Sequence, residues 1–78
     1  MNRIVKIEIL AAFEVNLTFE NGFQQIINLK PFIGKGFTKN LLDKEEFDKV
    51  RIDGTGGLFW PNGFDICPNF LHEYAMSS

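Results

Sequence analysis

Between Phe13 and Glu20 the chain alternates without a break. Phe13, Val15, Leu17 and Phe19 fall on one parity; Glu14, Asn16, Thr18 and Glu20 fall on the other. Side chains on a strand alternate faces, so this stretch predicts a strand with one buried face. Ile4 to Leu10 carries the same signature, with Val5, Ile7 and Ile9 opposite Lys6 and Glu8. Phe23 to Leu29 predicts a third strand, with Phe23, Ile27 and Leu29 sharing a parity and Gln25 as the exception. Asn21-Gly22 between the second and third strands is a strong hairpin signal. The loop length decides the register. A two-residue loop would turn Phe23, Ile27 and Leu29 to the polar face. A three-residue loop, Glu20-Asn21-Gly22, pairs Phe19 with Phe23 and Val15 with Ile27. One residue of slip inverts every side chain, so the apolar pattern selects the three-residue loop, with Gly22 in the left-handed conformation.

Pro31 ends the third strand, because proline has no N–H for a ladder. Pro31 to Phe37 reads as a turn or a single helical turn followed by a loop. Thr38 is placed to cap a short turn holding Leu41 and Leu42. Asp43 and Glu46 have the spacing of a capping box, which predicts a short helix presenting Phe47 and Val50 to the core. Val50 to Asp53 reads as a fourth strand, Gly54 to Gly57 as a flexible connection, and Leu58 to Trp60 as a fifth strand pairing Ile52 with Leu58 and Val50 with Trp60. Pro61-Asn62-Gly63 is a tight turn. Pro68 suits the first position of a final helix whose apolar side carries Phe70, Leu71 and Tyr74, and Met76-Ser77-Ser78 reads as a frayed tail. The expectation is one α+β domain over residues 1–78. It has a small, mostly antiparallel sheet of about five strands in two hairpins, one or two short helices between strands three and four, and a C-terminal helix.

At 78 residues the chain buries a modest core, and small domains are marginal for that reason. Nine Phe, one Trp and one Tyr compensate, since each buried ring removes a large apolar area from water. The net charge is −2 and the pI about 5.2. A free-standing nucleic-acid binder carries a basic face, so direct binding of DNA or RNA by this chain alone is not expected. The single Cys67 excludes an internal disulfide and fits a reducing compartment. The N-terminus alternates too early for a signal peptide, and no apolar run approaches a membrane span. These features point to a soluble cytoplasmic protein with no membrane partner.

Candidate chemistry is sparse. Gly34-Lys35-Gly36-Phe37-Thr38-Lys39 lacks the spacing of a phosphate loop and reads as an exposed loop. Cys67, His72 and nearby Asp65 could form a nucleophilic couple only if a base reached the thiol; His72 reads instead as an exposed helix residue. No set of ligands has metal-site spacing, and neither a metal nor another cofactor is expected. Asp43, Glu45, Glu46 and Asp48 suit a helix N-terminus or a docking patch for a basic partner. Asp65 is placed to accept backbone N–H groups from the preceding turn or the coming helix. Trp60 needs a partner for its indole N–H.

Trp60-Pro61-Asn62-Gly63-Phe64-Asp65-Ile66, followed by Pro68 and Leu71, resembles the ending of DUF2442, a small bacterial family of domains of unknown function with a W-P-N-G-x-D-[LI]-x-P-x-x-L signature. Leu17-Thr18-Phe19-Glu20-Asn21-Gly22, Ile27-Asn28-Leu29 and Phe47-Asp48-Lys49-Val50 are similar to its hairpin, third strand and short helix. Phe64 and Cys67 are mild departures. The resemblance implies a compact α+β domain with no known enzyme activity. It implies a protein partner encoded by a neighbouring gene, in an arrangement suggestive of toxin–antitoxin pairs. Some relatives continue into a helix-turn-helix, for which a chain ending at Ser78 leaves no room. The expected function is therefore a non-enzymatic, antitoxin-like interaction module, with Trp60, Asn62 and Asp65 as candidate partner contacts and homodimerisation as a further expectation. The alternatives are a nucleic-acid-associated accessory domain using Lys35, Lys39, Arg51 and Trp60, and a small enzyme using Cys67 and His72.

Overall fold

The computed structural model describes residues 2–77. Its first half is a three-stranded antiparallel sheet, order β1-β2-β3, built from β1 (Ile4–Ile9), β2 (Glu14–Phe19) and β3 (Gln24–Asn28). Val15 pairs with Ile27 and Thr18 with Gln24. Phe19 N–H donates to the Phe23 carbonyl at 2.8 Å. The apolar parity thus sets the register through the expected three-residue loop, and Gly22 has a φ of 90°. Val15, Leu17, Phe19, Ile27 and Leu29 line the inner face and are buried.

The first strand differs from its sequence pattern. A register shift between Ile4 and Lys6 inserts a β-bulge at Val5. One extra residue reverses parity locally. Ile4 therefore enters the core along with Ile7 and Ile9, and Val5 turns to solvent.

Two 3-10 turns, Lys30–Phe32 and Gly36–Leu42, lead to the short helix α1 (Lys44–Phe47). Asp43 is its N-cap, its carboxylate accepting from Glu45 N–H at 3.0 Å. Glu46 does not close the expected box; it pairs with Lys49 at 2.9 Å. Thr38 lies inside the second 3-10 turn rather than ahead of it. Its hydroxyl donates to the Lys35 carbonyl at 2.7 Å and accepts from Lys35 N–H. Phe47 and Val50 are buried as expected.

The second half holds a second three-stranded antiparallel sheet, of β4 (Arg51–Ile52), β5 (Leu58–Phe59) and β6 (Asp65–Ile66). Ile52 pairs with Leu58 as expected. The single sheet of about five strands expected from the pattern is thus corrected to two sheets. The additional strand β6 folds back on β5, with Leu58 opposite Ile66. The helix α2 (Pro68–Ser77) begins on its proline and buries Leu71 and Ala75. Met76 and Ser77 belong to this helix, and Ser77 Oγ donates to the Glu73 carbonyl at 2.9 Å; Ser78 lies outside the described residues. Both sheets, α1 and α2 contribute to one core cluster.

The two hairpins with Asn-Gly turns use the same loop. Phe19-Glu20-Asn21-Gly22-Phe23 and Trp60-Pro61-Asn62-Gly63-Phe64 each place the glycine at positive φ, 90° and 96°. In each, the Asn carboxamide oxygen accepts from the second N–H onward, Phe23 or Phe64, at 3.0 Å. This side-chain turn adds to the backbone bonds that close each loop, Phe19 N–H to the Phe23 carbonyl and Trp60 N–H to the Phe64 carbonyl.

Candidate functional site

Trp60 directly follows β5, where the chain turns toward β6 of the same sheet. Its side chain is 1% exposed, and its indole N–H donates to the Phe47 carbonyl at 3.0 Å. The ring belongs to a line of aromatics. Phe13 meets Phe47 edge-on at 5.2 Å, Phe47 lies 5.9 Å from Trp60, Phe64 stacks on Trp60 at 5.5 Å, and Phe37 meets Phe64 edge-on at 6.0 Å. The line runs from the inner face of the first sheet to the exposed ring of Phe37. Such pairs add to simple area burial. Trp60 is therefore a core residue, and its expectation as a partner contact is corrected.

Asn62 is a clamp. Beyond closing its own turn, its Nδ2 donates to the Phe37 carbonyl at 3.2 Å and to Asn40 Oδ1 at 3.0 Å. This ties the β5–β6 hairpin to the second 3-10 turn. Asp65 does not cap the coming helix: its side chain is exposed and has no hydrogen-bond partner among the described residues. In the turn the role expected of it is filled by Asn62, whose Oδ1 accepts from Phe64 N–H, and α2 opens with its ordinary backbone bond from Leu71 N–H to the Cys67 carbonyl at 3.2 Å. The structure thus separates the three candidates into a buried anchor, a structural clamp and one open carboxylate.

The Gly54 to Gly57 connection is also less free than its composition suggests. Asp53 Oδ1 accepts from Thr55 N–H at 2.8 Å, the Thr55 hydroxyl at 2.7 Å and Gly57 N–H at 3.0 Å. These donors, led by the Thr55 hydroxyl and then Gly57 N–H, hold the Asp53 carboxyl below its ordinary value, against a smaller opposing effect of burial. Arg3 Nη1 donates to the Gly54 carbonyl and Ile4 N–H to the Gly56 carbonyl, at 3.2 and 2.9 Å. The N-terminal segment is thereby stitched to this loop.

A depression of ≈ 230 Å³ beside the stitch is lined by Asn2, Arg3, Thr55, Cys67, Pro68 and Asn69. Cys67 is exposed there. His72 lies elsewhere: it is half-buried rather than exposed, with its ring edge-on to Phe19 and Phe23 at 5.0 and 5.5 Å. Cys67 and His72 thus have different neighbours and share no hydrogen bond. Among the described residues no cluster of three His, Cys, Asp or Glu side chains could hold a metal, and no helix is long and apolar enough to cross a membrane. The acidic cluster is largely spoken for: Asp43 caps α1, Asp48 pairs with Lys44 at 3.1 Å and Glu46 with Lys49. Arg51 donates to the Val50 carbonyl at 2.8 Å, and burial of Trp60 removes it as a stacking platform for a base.

Two surface features were not singled out by the sequence. Phe32, Phe70 and Tyr74 form an aromatic cluster, with centroids 5.3, 5.0 and 6.4 Å apart. Phe70 and Tyr74 are four residues apart and share a helix face. Nothing in the local pattern brings Phe32 to them. The second feature is Ile26, an isoleucine on the polar parity of β3 that is 54% exposed. Its parity alone could have marked it.

Residues 4–77 match the model of a family described as a protein of unknown function, DUF2442. No curated protein and no solved structure matches the chain.

Proposed function

The chain belongs to the DUF2442 family, and on that premise we propose that it is a non-enzymatic protein-interaction module, the antitoxin-like partner of an adjacent-gene product in a bacterial two-gene pair. The observation that carries this reading is the aromatic cluster of Phe32, Phe70 and Tyr74. Phe70 is 46% exposed although α2 already buries Leu71 and Ala75 against the core. Phe32 and Tyr74 pack against the core, while Phe70 carries its ring out to solvent beside them. Clustered aromatics at a surface are the side chains that anchor protein interfaces. The open carboxylate of Asp65 remains a candidate polar contact; Trp60 and Asn62 support the fold behind it.

The test is co-expression with the adjacent gene's product. The pair should co-purify, and Phe70→Asp, which places a charge on the cluster while leaving Leu71 in place, should release the partner from a folded domain. Separate purification of the two wild-type proteins, with any toxicity of the partner unchanged by co-expression, would sink this reading.

A further inference from the structure

β3 is an edge strand with an open backbone. The bonds exchanged with β2 come from its odd residues, as Phe19 with Phe23 and Phe13 with Leu29 at the two ends of the ladder show. The N–H and C=O groups of Gln24, Ile26 and Asn28 therefore point away from β2, and β3 is the last strand of its sheet. Such an edge recruits other strands unless a charge, a proline, a bulge or a covering element blunts it. The opposite edge is blunted: β1 carries the bulge at Val5, the charges of Lys6 and Glu8, and a bond from Ile4 N–H to the β4–β5 loop. β3, Gln-Gln-Ile-Ile-Asn, carries neither charge nor proline, and its ladder with β2 is unbroken.

We propose that β3 is a self-association edge, and that two copies of this chain pair antiparallel through it about a two-fold axis at Ile26. The occupant is chosen by charge. Across a two-fold axis a copy always meets its own side chains, so any charge near the axis faces its like. β1, β2, β4 and β6 each carry charged residues, whereas β3 has none. A strand selected to bind an acidic or basic partner would carry the complementary charge; a neutral one is what self-pairing requires. The register follows from the backbone. With the axis at Ile26, Gln24 lies opposite Asn28 of the second copy and Ile26 opposite its own equivalent, so every outward N–H and C=O of the three residues is paired. Registers centred on Gln25 or Ile27 leave one of the three unpaired in each copy. The pairing also covers the exposed Ile26 side chains with each other, as cross-strand neighbours. The blunted β1 edge then stops the joined sheet from growing, so the contact closes as an isologous dimer instead of a fibre.

Sedimentation of the full chain at low salt, at ~0.1 mM, tests this. The wild type should sediment as a dimer, and Ile26→Lys, which sets two ammonium groups at the axis on a solvent-facing position, as a folded monomer by circular dichroism. The register is tested by two double variants that lose the same side chains. Gln24→Lys with Asn28→Glu places opposite charges across the axis; Gln24→Lys with Asn28→Lys places like charges there. The first should dimerise on the order of ten-fold more tightly than the second. A wild-type monomer at this concentration, a dimer that survives Ile26→Lys, or equal dimerisation of the two double variants would overturn the proposal.

Discussion

The indole N–H of Trp60 donates to the backbone carbonyl of Phe47 at 3.0 Å, inside the core. The bond fastens the start of the β5–β6 hairpin to the last turn of α1, two elements that pack on the same cluster from different parts of the chain. Trp60→Phe keeps a ring on Phe64 and Phe47 but leaves the Phe47 carbonyl with one donor, Val50 N–H at 3.2 Å, in place of two. Losing one of the two bonds costs about 0.5–1.5 kcal/mol, and the smaller ring adds a cavity. Trp60→Ala removes the whole ring and should cost about 3–5 kcal/mol, enough to unfold a domain of this size. Urea titration should show Trp60→Phe folded with a lowered midpoint and Trp60→Ala largely unfolded in water.

The elements legible in the sequence are those with repeated period and strong turn chemistry. β2, the Glu20-Asn21-Gly22 loop and the β2–β3 register follow from parity, because one inverted residue would have exposed the whole apolar set. α2 follows from Pro68 and the spacing of its apolar side chains. A bulge leaves no trace in alternation until the partner strand is known, so Val5 is read on the wrong face. β6 is Asp65–Ile66, too short to show a period, and its existence depends on the turn that precedes it. The candidate site is split for a related reason. Trp60, Asn62 and Asp65 are neighbours in sequence, but the hairpin sends them to the core, to the adjoining 3-10 turn and to solvent. Phe32 joins Phe70 and Tyr74 only through the tertiary fold, which no local window contains.

Asn21 and Asn62 close the same loop but carry different loads. Asn21 contributes its oxygen to Phe23 N–H; Asn62 does the same for Phe64 and also donates to Phe37 and Asn40. Asn21→Ala should cost about 1 kcal/mol and Asn62→Ala about 2 kcal/mol, at roughly 0.5–1.5 kcal/mol per bond. Asn62→Asp retains the oxygen acceptor and loses the donors, so its loss should fall between wild type and Asn62→Ala. Chemical denaturation of the three variants with a common slope checks the order.

Glycines 54 and 57 flank one loop and should respond oppositely to alanine. A Cβ on Gly57 would lie 2.6 Å from the Ile66 carbonyl oxygen and 3.0 Å from Pro68 Cδ. The obstacle is β6 backbone and a rigid ring, so Gly57→Ala must push β4–β5 and β6 apart, at about 1–3 kcal/mol for such overpacking. A Cβ on Gly54 meets nothing within 4 Å, and its φ lies outside the left-handed region. Gly54→Ala should be neutral or stabilising by up to about 1 kcal/mol, by restricting the unfolded chain. Thermal melts of the two variants should move in different directions from wild type.

The same loop gives the domain a defined acid response. Asp53 collects the Thr55 hydroxyl and the N–H groups of Thr55 and Gly57 on one carboxylate oxygen, and its folded-state pKa is lowered by the Thr55 side chain first and the Gly57 N–H second. A carboxyl titrating lower in the folded state than in the unfolded chain, where Asp titrates near ~3.9, binds fewer protons when folded. Its contribution is fully present above the unfolded value and is lost as the pH falls through the lowered folded value. Asp53→Asn keeps the oxygen acceptor but removes the charge that strengthens these bonds. The stability gap between wild type and Asp53→Asn should therefore be constant at neutral pH and above the unfolded carboxyl range, and close as the pH falls through the lowered folded value. Thr55→Val removes the hydroxyl donor and should raise the Asp53 pKa toward its ordinary value, shifting the closing of the gap to higher pH. Urea midpoints measured against pH for the three proteins check both points. A gap that persists unchanged at the acid end would mean that Asp53 holds the loop through the shape and hydrogen bonding of its side chain and not through its charge.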